Sequence, residues 1–437
     1  MGGFLHTVAS LQSQEMIDPQ VRLGRNAFWM ILSRFSAQGL AVVFTILLAR
    51  RLGGAGFGEY AFIATVIFVA NALTSFGTDM LLIREIAAKD DFSRLPAALV
   101  LQLVLSAFVI VGVWMFSAWI PNQSRETITA LKIYSFALVP LAFFTIFTTV
   151  LRGVQRLDAY TLLNLIVSTM QVGVVLSSNT SIIELSIFLL SVQILAAAIA
   201  GFVCAVTLPH FWRVWRFSSI QLFSLIKQTA PLAWLTLLGM IYQRVNIYLL
   251  STMSGATATG MYSAAFRMVE ASKTMHLAVF AALYPALAQG QADTIHQGRW
   301  SEVFKVSWKV LLAGATIIAI VLFILAKPLV TLLYGREFTA STTVLQILAW
   351  MLIPFTINTY LTLSFLTSNR ERLIGRAMTV SLVGLLILNL WWIPAQGPVG
   401  SAWAALSAEC IQSASLLAGA GSRVHLQGEV HEFSELS

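Results

Sequence analysis

The chain has 437 residues, 58% of them hydrophobic and only 11% charged, with a formal net charge of +8. Soluble domains carry roughly 25% charged residues, so this composition, with a mean hydropathy of +0.81, excludes a water-soluble globule. Cys204 and Cys410 both lie in apolar segments, which excludes a disulfide framework or zinc site, and no Gly-x-x-x-x-Gly-Lys-Ser/Thr loop is present to drive an ATPase.

Many windows exceed the ~18 apolar residues that cross a bilayer core. In chain order, spans are expected at about 27–49, 58–83, 97–120, 127–150, 159–178, 182–207, 229–252, 259–284, 303–326, 343–366, 377–393 and 400–420. Lipid admits only helices or closed barrels, and these runs lack the alternation of a barrel. The sequence thus predicts an all-α polytopic membrane protein with about twelve transmembrane helices. The tail 1–26 is mixed and polar, without the apolar core and cleavage site of a signal peptide, so the first span is expected to be an uncleaved anchor. The midpoint connection 208–228 carries Phe211-Trp212-Arg213-Val214-Trp215-Arg216, aromatic and basic as at headgroup depth. It separates an N-terminal lobe, 27–207, from a C-terminal lobe, 229–420, which is followed by a tail, 421–437. No outer connection is long enough for a catalytic domain.

Sixteen Lys and Arg residues lie in connections on the side of the N-terminus and five on the other, namely Arg50, Arg51, Arg125, Lys327 and Arg336. The positive-inside rule then places both termini in the cytoplasm. The basic charge is this topological signature, so nucleic acid is not an expected partner.

The stretch 49–60, Ala-Arg-Arg-Leu-Gly-Gly-Ala-Gly-Phe-Gly-Glu-Tyr, forms a glycine corner between spans 1 and 2. A weaker copy at 254–265 follows span 7. Gly58 to Gly260 and Tyr60 to Tyr262 are offsets of 202, but Gly54 to Gly255 is 201, which requires a one-residue gap. Pro140 in span 4 and Pro354 in span 10 recur six spans apart. Two six-helix halves related by a pseudo-two-fold along the membrane normal follow, with Gly53, Gly54, Gly58, Pro140 and Pro354 as hinges and a substrate site between the halves.

Six basic residues fall within spans: Arg34, Lys132, Arg244, Arg267, Lys273 and Lys309. A charge facing lipid at the bilayer centre costs about 2.5–3.5 kcal/mol, so the deep ones are expected to face a wet interior or a partner. Lys132 and Lys309 are near span ends and are expected to snorkel. Arg34 and Gln38 share a face of span 1; Arg244 neighbours Gln243 and Asn246. Arg267, Glu270 and Lys273 share a face of span 8, followed by His276, with Glu270 expected to neutralise its two neighbours. The surplus of cations fits an anionic, phosphate-bearing substrate held by Arg34, Arg244, Arg267 and Lys273, with Gln38 and Asn246 beside them. Glu270, Glu409 and Asp79 are the acids placed for ion coupling, although Asp79 also reads as a helix-end partner of Arg84.

Asn26, Ala49-Arg50-Arg51-Leu52-Gly53, Phe57-Gly58-Glu59-Tyr60, Gly77 and Arg84-Glu85-Ile86 resemble the opening of bacterial polysaccharide-export flippases. These belong to the multidrug/oligosaccharidyl-lipid/polysaccharide exporter superfamily. Leu151-Arg152-Gly153, Gly260-Met261-Tyr262-Ser263-Ala264-Ala265, Tyr334-Gly335-Arg336-Glu337-Phe338, Asn389, Ile393-Pro394 and 397–402 continue the resemblance over roughly 22–420. It implies a non-enzymatic flippase in the bacterial inner membrane. The implied substrate is an undecaprenyl-pyrophosphate-linked oligosaccharide of O-antigen or exopolysaccharide type, carried from inner to outer leaflet by alternating access. No cofactor is implied; membrane lipids, a polysaccharide polymerase and assembly proteins are the implied partners. Relatives often carry an acid in span 7 where this chain has Asn246. A peptidoglycan-precursor flippase, a small-molecule exporter, a membrane glycosyltransferase or polymerase, and an assembly scaffold remain as alternatives.

Overall fold

In the computed structural model, the backbone is described for residues 19–177, 181–208, 217–292, 297–367 and 370–434; within these, the side chains of 19–28, 30, 31, 33, 34, 231, 232, 235, 275–307, 367 and 420–434 are not described. The expected tail segments 1–18 and 435–437, and the arginines of 211–216, lie outside the described residues.

Two very long helices organise the chain, α1 (Pro19–Ser75) and α8 (Ser219–Ala292). Each is broken once by a glycine in the left-handed region: Gly53 at φ 68°, ψ −176° and Gly255 at φ 81°, ψ −176°. Glycine reaches this conformation without the Cβ clash other residues meet. The chain folds back at both breaks. Phe44 and Tyr60 have ring centroids 5.6 Å apart, and the Asn246 amide donates to Tyr262 Oη at 3.0 Å. Sixteen residues of straight helix would separate either pair by about 24 Å. Phe44 to Asn246 and Tyr60 to Tyr262 are again offsets of 202. The structural partner of Gly255 is therefore Gly53, not Gly54, and the repeat needs no gap.

Between the long helices lie α2 (Thr78–Lys89), α3 (Leu95–Phe116), α4 (Arg125–Ser135), α5 (Leu138–Gly153), α6 (Leu157–Ser177) and α7 (Ile182–Thr207). After them come α9 (Gln297–Ile324), α10 (Ala326–Leu333), α11 (Ser341–Trp350), α12 (Leu352–Thr367), α13 (Glu371–Gln396) and α14 (Pro398–Ser434). A second repeat is visible here. The α4/α5 and α11/α12 pairs are each two helices joined by a short break, and Pro140 and Pro354 both occupy the third position of the second piece. A proline in the first turn removes an N–H that has no intrahelical partner, so it marks the break at no hydrogen-bond cost.

The element boundaries depart from expectation in three places. Helix begins by Pro19, inside the expected tail 1–26, and α14 runs on to Ser434, through most of the expected tail 421–437. The linker 208–228 is already helical from Ser219, and Leu225 is buried in a core with Leu82, Leu151 and Cys204. The C-terminal end of the linker is thus a helix that packs Leu225 inward while Ile220 and Phe223 stay exposed.

Among the described residues every regular element is helical. Six helices are long and apolar enough to cross a membrane, or eight if the bent pairs α4/α5 (41°) and α9/α10 (69°) each count once. Residues 35–75, one of the six at 41 residues, would be about 61 Å long if straight, twice the thickness of a bilayer core, but the chain folds back at Gly53. Phe108 on α3, Ile317 and Ile324 on α9 and Ile387 and Trp391 on α13 are exposed. In water such a surface would drive aggregation; against lipid it costs nothing. The chain is a multi-pass membrane protein.

Candidate functional site

The two glycine corners meet backbone to backbone. A Cβ on Gly58 would lie 1.8 Å from the Ala256 carbonyl oxygen, and one on Gly260 would lie 2.0 Å from that of Gly54. Around this contact the halves are tied by hydrogen bonds. Gly54 N–H donates to Glu337 Oε1 at 2.6 Å. Arg50 Nε donates to the Leu333 carbonyl at 2.7 Å, and its Nη2 to the Leu332 carbonyl, capping the C-terminus of α10. Gln123 donates to Ser251 Oγ at 3.0 Å and Asn122 to the Thr252 carbonyl at 2.7 Å. The corner end of the molecule is closed.

Behind the closure lies a chamber of ≈ 600 Å³ between α1 and α8. Arg244 and Arg267 reach into it from the two arms of α8, with Glu270 between them. Glu270 Oε1 accepts from Arg244 Nη2 at 3.0 Å, and its Oε2 from Arg267 Nη1 at 2.7 Å. Arg267 Nε donates across to Thr45 Oγ1 on α1 at 3.1 Å. The Arg244 guanidinium packs over the Phe68 ring at 4.6 Å, and its Nε is buried without a partner.

Lys273 does not share Glu270, as expected from its i+3 spacing. Its ammonium crosses to Glu409 Oε1 on α14 at 3.2 Å and sits 4.3 Å over the Phe355 ring. The reason is directional: Glu270 is already saturated by two guanidinium groups, while Glu409, only 3% exposed, otherwise has no counter-charge. Asn358 donates to Glu409 Oε2 at 2.7 Å, and Ser413 to Asn358 Oδ1 at 2.7 Å. Among the described residues, Arg244, Arg267 and Lys273 set against Glu270 and Glu409 leave one surplus cation, where Glu270 alone would leave two.

A larger cavity of ≈ 1250 Å³ adjoins the chamber among α8, α12, α13 and α14, and shares Phe266 and Glu270 with it. Asn246 lines it, but both ends of its amide are engaged. Besides its bond to Tyr262, its Oδ1 accepts from Asn389 at 2.6 Å, and Ser401 donates to Asn389 Oδ1 at 3.0 Å. The place of an acid is taken by a neutral, satisfied network.

Of the other expected residues, the Arg34 and His276 side chains lie outside the described residues. Gln38 is half-buried, its Nε2 has no partner, and it lines neither cavity. Asp79 stands in the first turn of α2, where a carboxylate complements the helix dipole, and forms no ion pair with Arg84 among the described residues. Lys132 packs 5.5 Å over the Trp114 ring. Sequence reasoning missed Thr45, Phe68, Asn358 and Glu337. Thr45 was legible, because Gln38 and Thr45 are two turns apart on one helix face; the others become neighbours only through folding.

The polysaccharide biosynthesis protein family model matches residues 23–291, more than half of the chain. The chain is 22% identical over 387 residues to the probable low-salt glycan biosynthesis flippase Agl15 of Haloferax volcanii, covering 87% of this chain and 79% of that protein. Its fold is similar to lipid II flippase MurJ in an inward closed conformation (TM-score 0.72, 16% identity, 90% of this chain and 87% of that one). It is also similar to an inward-facing multidrug resistance MATE family transporter of the MOP superfamily (TM-score 0.73, 12% identity, 91% and 99%). The chain belongs to the polysaccharide biosynthesis protein family.

Proposed function

We propose that the protein is a flippase that moves an undecaprenyl-pyrophosphate-linked oligosaccharide from the inner to the outer leaflet by alternating access. The observation that carries this reading is the cationic chamber between two glycine-broken helices, closed at the corner end by contacts between the halves. If each arm of α1 and α8 is one passage, α2 continues the second arm of α1, and α4/α5, α9/α10 and α11/α12 are one passage each, the chain crosses twelve times in two halves of six. The bias of Lys and Arg then puts the corners outside and both termini in the cytoplasm, so the state described here faces inward. Arg244, Arg267 and Lys273 bind the headgroup: each is tied to a carboxylate by bonds that a pyrophosphate can take over. Glu270 and Glu409, released from those pairs, are the groups that exchange protons during the cycle. The name of the archaeal relative, a glycan biosynthesis flippase, favours a glycan over a drug-like cargo.

The test is flipping of labelled lipid-linked oligosaccharide in inverted membrane vesicles. Wild-type protein is expected to translocate it, with Arg244→Ala and Arg267→Ala each lowering the rate at least tenfold at unchanged expression. Normal rates in both variants would remove the site assignment, and no transport by wild type would remove the function. Complementation of a strain depleted of its peptidoglycan-precursor flippase separates that substrate from a polysaccharide unit.

A further inference from the structure

Among the described residues, every charged wall of the chamber comes from α8: Arg244, Arg267 and Glu270. The wall from α1 is neutral, although the two helices are copies of each other at an offset of 202. The positions in α1 that answer to Arg244, Arg267 and Glu270 are Val42, Thr65 and Phe68. The ionic group is thus carried whole by one half, and Glu270 grips both guanidinium groups from within that half.

Two contacts tie these arginines to the other half. Arg267 Nε donates to Thr45 Oγ1 at 3.1 Å, and the Thr45 hydroxyl, buried, is itself oriented by donating to the Ala41 carbonyl at 2.7 Å. The Arg244 guanidinium carbon stands 4.6 Å from the centroid of the Phe68 ring. Neither contact is a by-product of the repeat. The pair that answers to Arg267 and Thr45 is Thr65 and Ile247, and an isoleucine cannot accept a hydrogen bond. Phe68 stands where the second half has Glu270, so a ring face meets the cation where the copy offers a carboxylate.

Thr45 engages Nε, so the terminal end of the Arg267 guanidinium is the part turned toward Glu270. Phe68 fixes the plane of Arg244 in the same way. A diphosphate that replaces the carboxylate therefore meets donors already oriented, and less side-chain freedom is lost when it binds. Both anchors belong to α1, so both leave the arginines when the corners part, and only Glu270, on their own helix, stays with them. We propose that Thr45 and Phe68 are positioning residues that prime Arg267 and Arg244 for a diphosphate only while the halves are closed at the corners. A ligand held more tightly in one of two states is released on passage to the other. Combined with the flippase reading above, on which this direction rests, the site takes its anion on the inner side and lets it go on the outer.

The test is calorimetric titration of inorganic pyrophosphate into full-length protein in nanodiscs. Thr45→Val and Phe68→Leu are each expected to weaken binding at least fivefold at an unchanged melting temperature. Thr45→Ser and Phe68→Tyr, which keep the oxygen and the ring, are expected to bind as the wild type does. The same losses are then measured in Gly58→Ala, whose corners cannot meet. Binding there is expected to be weak from the outset, with Thr45→Val or Phe68→Leu changing it less than twofold. Equal losses in both backgrounds would overturn the proposal, because the two residues would then act regardless of closure. Full affinity in Thr45→Val and Phe68→Leu, or losses that serine and tyrosine do not restore, would overturn it too. A wild-type protein that binds no pyrophosphate would do the same. The flipping assay above decides the flippase reading independently of all these outcomes.

Discussion

The Glu337 carboxylate, at the 3₁₀ turn after α10, accepts the backbone N–H of Gly54 at 2.6 Å and ties the two halves together. Gly54 follows the left-handed Gly53, so its N–H opens a new helical arm and has no intrahelical acceptor. Glu337 serves that arm as a carboxylate cap would, from the opposite half of the molecule.

Glu337→Ala is expected to loosen the closed end. A charge-assisted bond of this kind contributes about 1–2 kcal/mol once its exposure is allowed for, which corresponds to a roughly 5- to 30-fold shift toward the state open at the corners. Spin labels at Glu126 and Arg336, one on each half, should show the longer distance gaining population. An unchanged distance distribution would mean that the glycine contact alone holds the closure.

Gly58→Ala and Gly260→Ala should each prevent that closure. The added carbon would fall about 2 Å from a carbonyl oxygen of the opposite corner, and backbone cannot yield there as a flexible side chain could. Flipping is expected to drop at least tenfold in either variant. Gly39→Ala, whose new carbon would meet nothing within 4 Å, is the control.

Lys273→Met should destabilise the protein by about 3–5 kcal/mol, because it leaves the Glu409 carboxylate buried without its cation. The double variant Lys273→Met/Glu409→Gln is expected to regain most of this loss, because Gln can still accept from Asn358. Thermal unfolding of the four proteins of the cycle measures the coupling, and additive losses would exclude a tight pair.

Asn246→Leu should cost about 1–3 kcal/mol for each partner it abandons, the Tyr262 hydroxyl and the Asn389 amide. Gln38→Leu is expected to be neutral or stabilising, because its Nε2 is already buried without a partner. A lower melting temperature for the second variant than for the first would reverse this ranking.

The sequence by itself determined that the chain lives in a membrane as helices, and that its glycine corner and its proline break each recur once. Hydropathy, loop charge and backbone breakers act locally, so Gly255, Pro140 and Pro354 could be read without knowing their neighbours. It also singled out Arg244, Arg267, Glu270, Lys273 and Glu409, because a charge among apolar residues is conspicuous wherever it points. Only the tertiary structure decided how those charges pair. The i+3 spacing joined Lys273 to Glu270, yet the acid on α14, 136 residues away, is the one it reaches. The alignment of the corners was likewise settled by the positive φ of Gly53 and Gly255, a backbone state that Gly53 and Gly54 could equally have adopted. Glu337 meeting Gly54 across 283 residues depends on the closing of the two halves. Long-range partners are set by the packing of whole helices, and no local pattern encodes them.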